Sequence, residues 1–362
     1  MDLSKLYKKQ ISMHDWFDQI DHKDAAAIRE EDYARQARLK QLDEIIDLPY
    51  DKPDIFSSDD ILNKTDRFNI LFNERKDKKC RLRLVPLTKD TQKLRTVGRT
   101  IHESVEWFKE QDIDPKNYEL HFLSFTDNPE WATIFVINNN GIFGEAVFGG
   151  HNQLTQGFHE KKPITFSFDF TSWKLSEENE NILGHLQKIM DYLYVPDSTK
   201  QERLHDTLGA DCVQNYITGY FETVSDASIP LQFIDYNRVL GKLYKDVQIT
   251  PSQNNQNSIT GQTGSPGVTT GKVRIISPEQ ISETNLNPDE ILVCDVTSPD
   301  YVPLMKQAAA IITDRGGILS HAAIVSREMN KPCIVGTGNA TKILKNVQEI
   351  RVNADNGTVK IL

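Results

Sequence analysis

The segment TDRGGILSHAAIVSRE, Thr313 to Glu328, constrains the fold of this chain more than any other stretch. An apolar run ends at Thr313, two glycines follow, and an apolar helical pattern opens near His321. The order is strand end, tight turn, helix. Backbone N–H groups at a helix start lack intrahelical partners and favour anions. Gly316 and Gly317 permit a backbone geometry that side chains would block. A histidine on the first turn lies in the positive end of the helix field, which favours its neutral, nucleophilic form. His321 is therefore a candidate phosphoryl carrier. An isolated His-Ala-Ala beside a turn would read instead as a helix-capping histidine, so the surrounding residues decide.

Those residues form several motifs in order. GSPGVTTGKVRII comes first, then ILVCDVTSPDYVPLMKQAAAIITDRGG, KPCIVGTGNATKIL and VNADNGTVKIL. From Gly264 to Leu362 the chain closely resembles the phosphohistidine, or swivelling, domain of the phosphoenolpyruvate-utilising enzymes. That family includes phosphoenolpyruvate synthase, pyruvate phosphate dikinase and rifampicin phosphotransferase. The resemblance implies that His321 is phosphorylated during turnover. It makes Gly316, Gly317, Ser320 and Arg327 phosphate-binding candidates, although Arg327 also reads as a surface cation. In some dikinases a regulatory threonine lies two residues before the histidine. Here that position is Leu319, so that control is not expected.

A chain of 362 residues allows two or three domains. A net charge of -10 argues against an extended nucleic-acid surface but leaves room for local basic pockets. There is no apolar run long enough for a transmembrane span, and MDLSKLYKKQISMHDWFDQ lacks the apolar core of a signal peptide. Cys80, Cys212, Cys294 and Cys333 lie far apart without metal-type pairing. Reduced thiols in a cytoplasmic protein are the expectation. Neither nucleic acid nor membrane is expected as a partner.

Four segments are expected along the chain. Residues 1–66 form a charged helical segment, read as a solvated packing helix or a partner-binding one, with a helix cap at Ser57 or Ser58. Residues 67–250 form a mixed α/β and α+β domain. Up to residue 165 it alternates strands with one helix, VGRTIHESVEWFKEQ, and turns at Asn138–Gly141. Residues 174–225 are expected to be mostly helical, from about Ser176 to Tyr194 and from about Thr199 to Thr223. Residues 251–265 are almost without apolar side chains and read as a flexible linker. Residues 266–362 form the compact β/α swivelling domain. A linker before a carrier domain would let the phosphohistidine visit separate donor and acceptor sites.

The order of elements in residues 67–250 resembles a shortened ATP-grasp domain, which implies ATP and Mg2+ as cofactors. IFGEAVFGGHNQLTQG resembles the glycine-glutamate strand of phosphoenolpyruvate synthases and would put Glu145 near ATP, touching ribose, adenine or metal. An edge-strand charge is the plainer reading. FIDYNR resembles a late ATP-grasp strand. Asp235 and Asn237, two apart, share a strand face and suit Mg2+, with Arg238 on the other face. A polar strand face in water is the alternative. Arg81 and Arg83 share a face of CRLRL, and Lys89, Lys93, Arg95 and Arg99 follow. This group is either a triphosphate cradle or solvated charge. His151 and His159 lack zinc spacing. Gln153, Thr155 and Gln156 are candidate hydrogen-bonding groups on a loop, and Trp131 reads as a core or interdomain aromatic.

The large barrel that binds phosphoenolpyruvate or pyruvate in this family is expected to be absent, with its catalytic cysteine. Cys333 does not replace it. Two readings follow. In the first, Mg-ATP phosphorylates His321, which passes the phosphoryl group to pyruvate or a small hydroxylated acceptor. In the second, the chain is a carrier or regulatory subunit serving a separate phosphoenolpyruvate-binding partner protein. A homo-oligomer is compatible with either.

Overall fold

The structure, a computed structural model, describes residues 17, 22–88, 91–156, 163–227, 231–245, 247 and 259–362. It opens on two helices, α1 (Ala25–Tyr33) and α2 (Arg35–Ile46). Their inward face is charged as well as apolar: Glu31 and Arg38 are buried beside Ile28, Leu39 and Leu42. The charge pattern suggests a solvated packing helix or a partner-binding one; these helices pack, with this charged pair turned inward. Two compact units can be separated.

The smaller unit comprises Pro49–Pro129 and Ser225–Gln232. Its elements are β1 (Asp54–Ser57), α3 (Ser58–Leu62), α4 (Asp66–Arg75), β2 (Lys79–Pro86), β3 (Leu94–Thr100), α5 (Ile101–Lys109) and β4 (Tyr118–Ser124). An antiparallel sheet runs β1-β4-β2-β3. Cys80, Leu82 and Leu84 alternate into a core with Phe56, Phe68, Phe108 and Phe122, and the arginines between them face away. Ser57 begins α3 through a capping box with Asp60, as Thr100 begins α5 with Glu103. Helix α4 is an element that the strand-rich reading of this region left out.

The larger unit comprises Met1–Leu48, Glu130–Val224 and Phe233–Leu362. Its first half contains β5 (Pro129–Asn138), β6 (Gly141–Phe148), α6 (Asn152–Gln156), β7 (Ile164–Phe168), β8 (Trp173–Leu175), α7 (Glu180–Leu193), α8 (Ser198–Leu208), β9 (Cys212–Val213), β10 (Tyr216–Ile217), β11 (Gly219–Asp226), β12 (Gln232–Asn237) and α9 (Arg238–Lys242). A six-stranded sheet runs β12-β11-β5-β6-β7-β8. The turn before Gly141 (φ 136°) joins β5 and β6 as the asparagine run predicts. The second helix expected in residues 199–223 stops at Gly209, in the left-handed region at φ 60°. Three strands follow it. Gly219 marks the start of β11, where a Cβ would run into the Tyr236 ring.

The C-terminal half of this unit contains β13 (Ile259–Thr260), β14 (Gln262–Ser265), β15 (Val268–Ile275), β16 (Glu290–Cys294), α10 (Val302–Gln307), β17 (Ala310–Thr313), α11 (His321–Glu328), β18 (Cys333–Val335), α12 (Ala340–Ile343), β19 (Glu349–Asn353) and β20 (Thr358–Ile361). The eight strands run β13-β20-β19-β15-β16-β17-β18-β14, with β15 to β18 parallel. Strands β16, β17 and β18 are apolar and covered on both faces, as a parallel sheet demands. Of the expected linker, residues 251–258 lie outside the described residues, while β13 and β14 occupy most of 259–265. The whole is α/β and α+β. No helix among the described residues is long and apolar enough to cross a membrane.

Candidate active site

Strand β17 delivers Thr313 to the end of the parallel sheet, and the loop Asp314–Ser320 carries the chain to α11. Asp314 pins that loop. Its carboxylate accepts from Thr337 Oγ1 at 2.8 Å and from Thr341 N at 3.3 Å. Thr337 N and Gly338 N donate to the carbonyls of Thr313 and Asp314 at 3.1 and 2.9 Å. Arg315 forks onto Asp295, with Nε 2.7 Å from Oδ1. Gly316 takes φ 103°, where a side chain would be strained, and a Cβ there would meet Ser320 Oγ at 3.0 Å. Ser320 is the N-cap of α11 without a side-chain cap bond, and His321 is the first helical residue.

The His321 ring is oriented by a residue 24 positions earlier. Thr297 Oγ1 lies 2.7 Å from His321 Nδ1. Burial pushes the His321 pKa down to about 3, so the ring is neutral at ordinary pH. Neutrality was expected from the helix field, but burial is the cause found here. Arg327 reaches back from α11 to the loop, and its Nε and Nη1 are buried without a hydrogen-bond partner among the described residues. It donates from Nη2 to the Ile318 carbonyl at 2.8 Å, and its guanidinium sits 4.7 Å from the Tyr244 ring centre.

Glu145, on β6, is 5% exposed and is a register partner of Ile134 and Thr165. Its carboxylate abuts Gly317, where a Cβ would fall within it. The sheet does not place Glu145 beside Asp235. Three strand steps from β6 to β12 amount to about 14 Å at the usual spacing.

Asp235 meets a different set of residues. Glu222, on neighbouring β11, and Arg35, on α2, both act on it. Arg35 Nη1 is 3.8 Å from Asp235 Oδ2 and its Nη2 donates to Asp32 Oδ1 at 2.8 Å. Burial raises the Asp235 pKa, Arg35 opposes this, and the Glu222 charge adds to it, leaving a value of about 6. Burial would raise Glu222 as well, but His151, 3.0 Å away, with Tyr220 and Arg35, holds it at about 2. Asp235 Oδ1 is buried without a hydrogen-bond partner among the described residues.

The orphaned Asp235 oxygen suits a hard cation such as Mg2+, which takes one or two carboxylates and completes its shell with phosphate oxygens and water; Glu222, the second carboxylate, is engaged by Tyr220 and His151 and would have to share an oxygen. No group of three His, Cys, Asp or Glu side chains suited to a metal exists among the described residues. Asn237 is committed elsewhere: its Oδ1 accepts from Leu240 N at 2.8 Å and caps α9. Arg238 begins that helix and forks onto Glu31, with Nε 3.0 Å from Oε1.

The basic group lies in the smaller unit. Arg81 donates from Nε to the Ser124 carbonyl at 3.0 Å and pairs with buried Asp51. Arg83 stands in register with Arg95 on β3 and His121 on β4. Lys93, Arg95 and Arg99 are exposed. Lys89 and His159 lie outside the described residues. Gln153 is buried on α6, which is a helical turn where a loop was expected. Trp131 packs against Phe148 and stacks on His185.

Sequence reasoning missed Thr297, Glu222 and Arg35. Thr297 lay in the motif DVTSPDY without an assigned role. Glu222 sits in the alternating pattern YFETV, which a strand reading would have put on one face with Tyr220. Nothing local marks Arg35.

Residues 286–357 match the family described as PEP-utilising enzyme, mobile domain. A probable phosphoenolpyruvate synthase of Staphylothermus marinus is 47% identical over 102 residues, 28% of this chain and 12% of that protein. One from Archaeoglobus fulgidus is 32% identical over 264 residues, 67% of this chain and 33% of that protein. An uncharacterized phosphotransferase of Bacillus subtilis, YvkC, is 40% identical over 114 residues, 32% of this chain and 14% of that protein. The chain thus spans a third or less of the length of these relatives. Through the mobile domain at residues 286–357, it belongs with the phosphoenolpyruvate-utilising enzymes.

Proposed function

We propose that this chain is a phosphotransferase of the phosphoenolpyruvate-utilising type, in which His321 carries a phosphoryl group from Mg-ATP to a small acceptor. The acceptor is pyruvate or a hydroxylated compound. The observation that carries this reading is the His321 ring at the first position of α11, neutral by burial and oriented through Nδ1 by Thr297.

The chemistry follows from that orientation. With the ring proton on Nδ1, Thr297 Oγ1 accepts it and the Nε2 lone pair is the nucleophile. Nε2 attacks a phosphorus of ATP, a P–N bond forms, and the bridging P–O bond breaks with its electron pair on the departing nucleotide oxygen. In the second step an acceptor oxygen attacks the same phosphorus, and Nε2 recovers its pair. Backbone N–H groups at the start of α11 and the turn at Gly316 and Gly317 suit the phosphoryl oxygens. Asp235 with Glu222 would hold Mg2+, which supplies charge neutralisation on the transferring oxygens. Glu145, against Gly317, joins the ATP-grasp-like half to the carrier loop.

The test is phosphoryl labelling from Mg-ATP, read by intact mass at neutral to basic pH. Wild type gains about 80 Da, one phosphoryl group, and His321→Gln gains none. Normal labelling of His321→Gln would end the reading. A second reading rests on the same His321 ring at the start of α11: a carrier serving a separate phosphoenolpyruvate-binding protein. That reading predicts labelling from phosphoenolpyruvate only when such a partner is added.

A further inference from the structure

Arg35 reaches the Glu222–Asp235 pair from outside the sheet, on the N-terminal helix pair. The arginines beside it are committed. Arg38 donates to the Tyr236 carbonyl from Nε and Nη2 at 3.1 and 2.8 Å and meets Glu31 at 3.3 Å. Arg238 grips the same Glu31 through its side chain and its backbone N–H. Glu31 thus ties α1, α2 and the end of β12 into one brace, and Arg35 extends from that brace.

Arg35 stands among carboxylates, with Asp235, Asp32 and Glu222 all acting on it. Asp32 holds one arm at 2.8 Å. The other arm stops 3.8 Å from Asp235 Oδ2, beyond a hydrogen bond. Asp235 is only 9% exposed, and its Oδ1 has no hydrogen-bond partner among the described residues. A buried carboxylate oxygen in that position calls for a ligand from outside the chain. A cation on Asp235 would bring phosphate oxygens with it, and a planar guanidinium recognises such oxygens in pairs.

We propose that Arg35, carried by the N-terminal helix pair, binds the phosphate oxygens of the nucleotide held at Glu222 and Asp235. The inference rests on the Mg-ATP reading above and adds the N-terminal segment to the nucleotide site. It predicts that affinity for the polyphosphate, and not for the nucleoside, depends on Arg35.

Calorimetric titration with Mg-ATP and with adenosine tests this on the full chain. Arg35→Gln should weaken Mg-ATP binding on the order of 10- to 100-fold, the scale of a charge-assisted hydrogen bond, and leave adenosine binding unchanged. Arg35→Lys keeps the charge without the fork and should fall between. Equal loss for Mg-ATP and adenosine in Arg35→Gln, with no recovery in Arg35→Lys, would mean a structural role and overturn the proposal. Wild-type Mg-ATP affinity in Arg35→Gln, alongside its loss in Asp235→Asn, would overturn the role of Arg35 and leave the nucleotide site standing. No Mg-ATP binding by wild type would remove the nucleotide reading and this inference together.

Discussion

The Glu145 carboxylate fills the space that a side chain at Gly317 would need. Glu145 lies on β6 of the six-stranded sheet and Gly317 in the loop after β17 of the eight-stranded one, so that loop is seated directly on β6. One apolar cluster continues the contact, joining Val136 and Phe143 to Ile318, Leu319 and Ile324. Arg327 over Tyr244 adds a polar element to the same seat.

Gly317→Ala should therefore unseat the loop. Overpacking of this kind costs about 1–3 kcal/mol, and labelling of His321 from Mg-ATP should fall with it. Glu145→Ala removes the obstructing carboxylate. The double variant should recover stability relative to Gly317→Ala alone, a non-additivity expected of touching residues. Chemical denaturation of the four proteins of this cycle would measure it. Strict additivity would deny the contact.

Thr297 should govern the rate of His321 phosphorylation more than the stability of the chain. One hydrogen bond contributes about 0.5–1.5 kcal/mol, so Thr297→Val should slow labelling by a few-fold to about tenfold. Thr297→Ser keeps the hydroxyl and should stay near wild type. Single-turnover labelling rates separate the outcomes, and equal rates for Val and Ser would show that the hydroxyl does not orient the ring.

Acid should destabilise the larger unit through its buried histidines. Burial depresses His321 to about 3 and His185 to about 4. Unfolded, both titrate near 6.5, so the unfolded state binds more protons between those values. The stability they provide is complete above the unfolded value and is lost as pH falls toward 3–4. His185→Gln should flatten the loss of urea midpoint between pH 7 and pH 4. Asp235, raised to about 6, acts with the opposite sign. Its contribution is present below its unfolded value and disappears as pH rises through 6. Asp235→Asn should therefore stabilise the chain at pH 8 relative to pH 4. An unchanged pH dependence in either variant would contradict its assignment.

Glu31 anchors the N-terminal helices. Glu31 and Arg38 are both buried, so Glu31→Gln leaves buried positive charge without its counter-ion. Breaking such a pair from one side costs about 3–5 kcal/mol. The denaturation midpoint should fall accordingly, and α1 and α2 should exchange amide hydrogens faster. A surface-like effect within a few tenths would show that the brace is not formed in solution.

Much of this was legible in the amino-acid order because it depends on neighbours in the chain. The glycine turn, the start of α11 at His321, the β5–β6 hairpin and the capping box at Ser57 are local choices, set by backbone freedom, hydrogen-bonding caps and apolar period. The helix–strand boundary after Gly209 was misplaced because helix formers before it and alternating residues after it compete over a few positions. The site itself was only half legible. Residue types in the loop announced His321, but Thr297 lies 24 residues away, Glu145 meets Gly317 across two sheets, and Arg35 reaches a carboxylate 200 residues later. Which distant residues meet depends on strand order and packing, and these also separated Glu145 from Asp235 although both had seemed fit for one metal. Sequence alone determined the local pattern of glycine turn and helix start that presents His321; tertiary structure decided what that loop meets, because burial and sheet order arise only once the whole chain has collapsed.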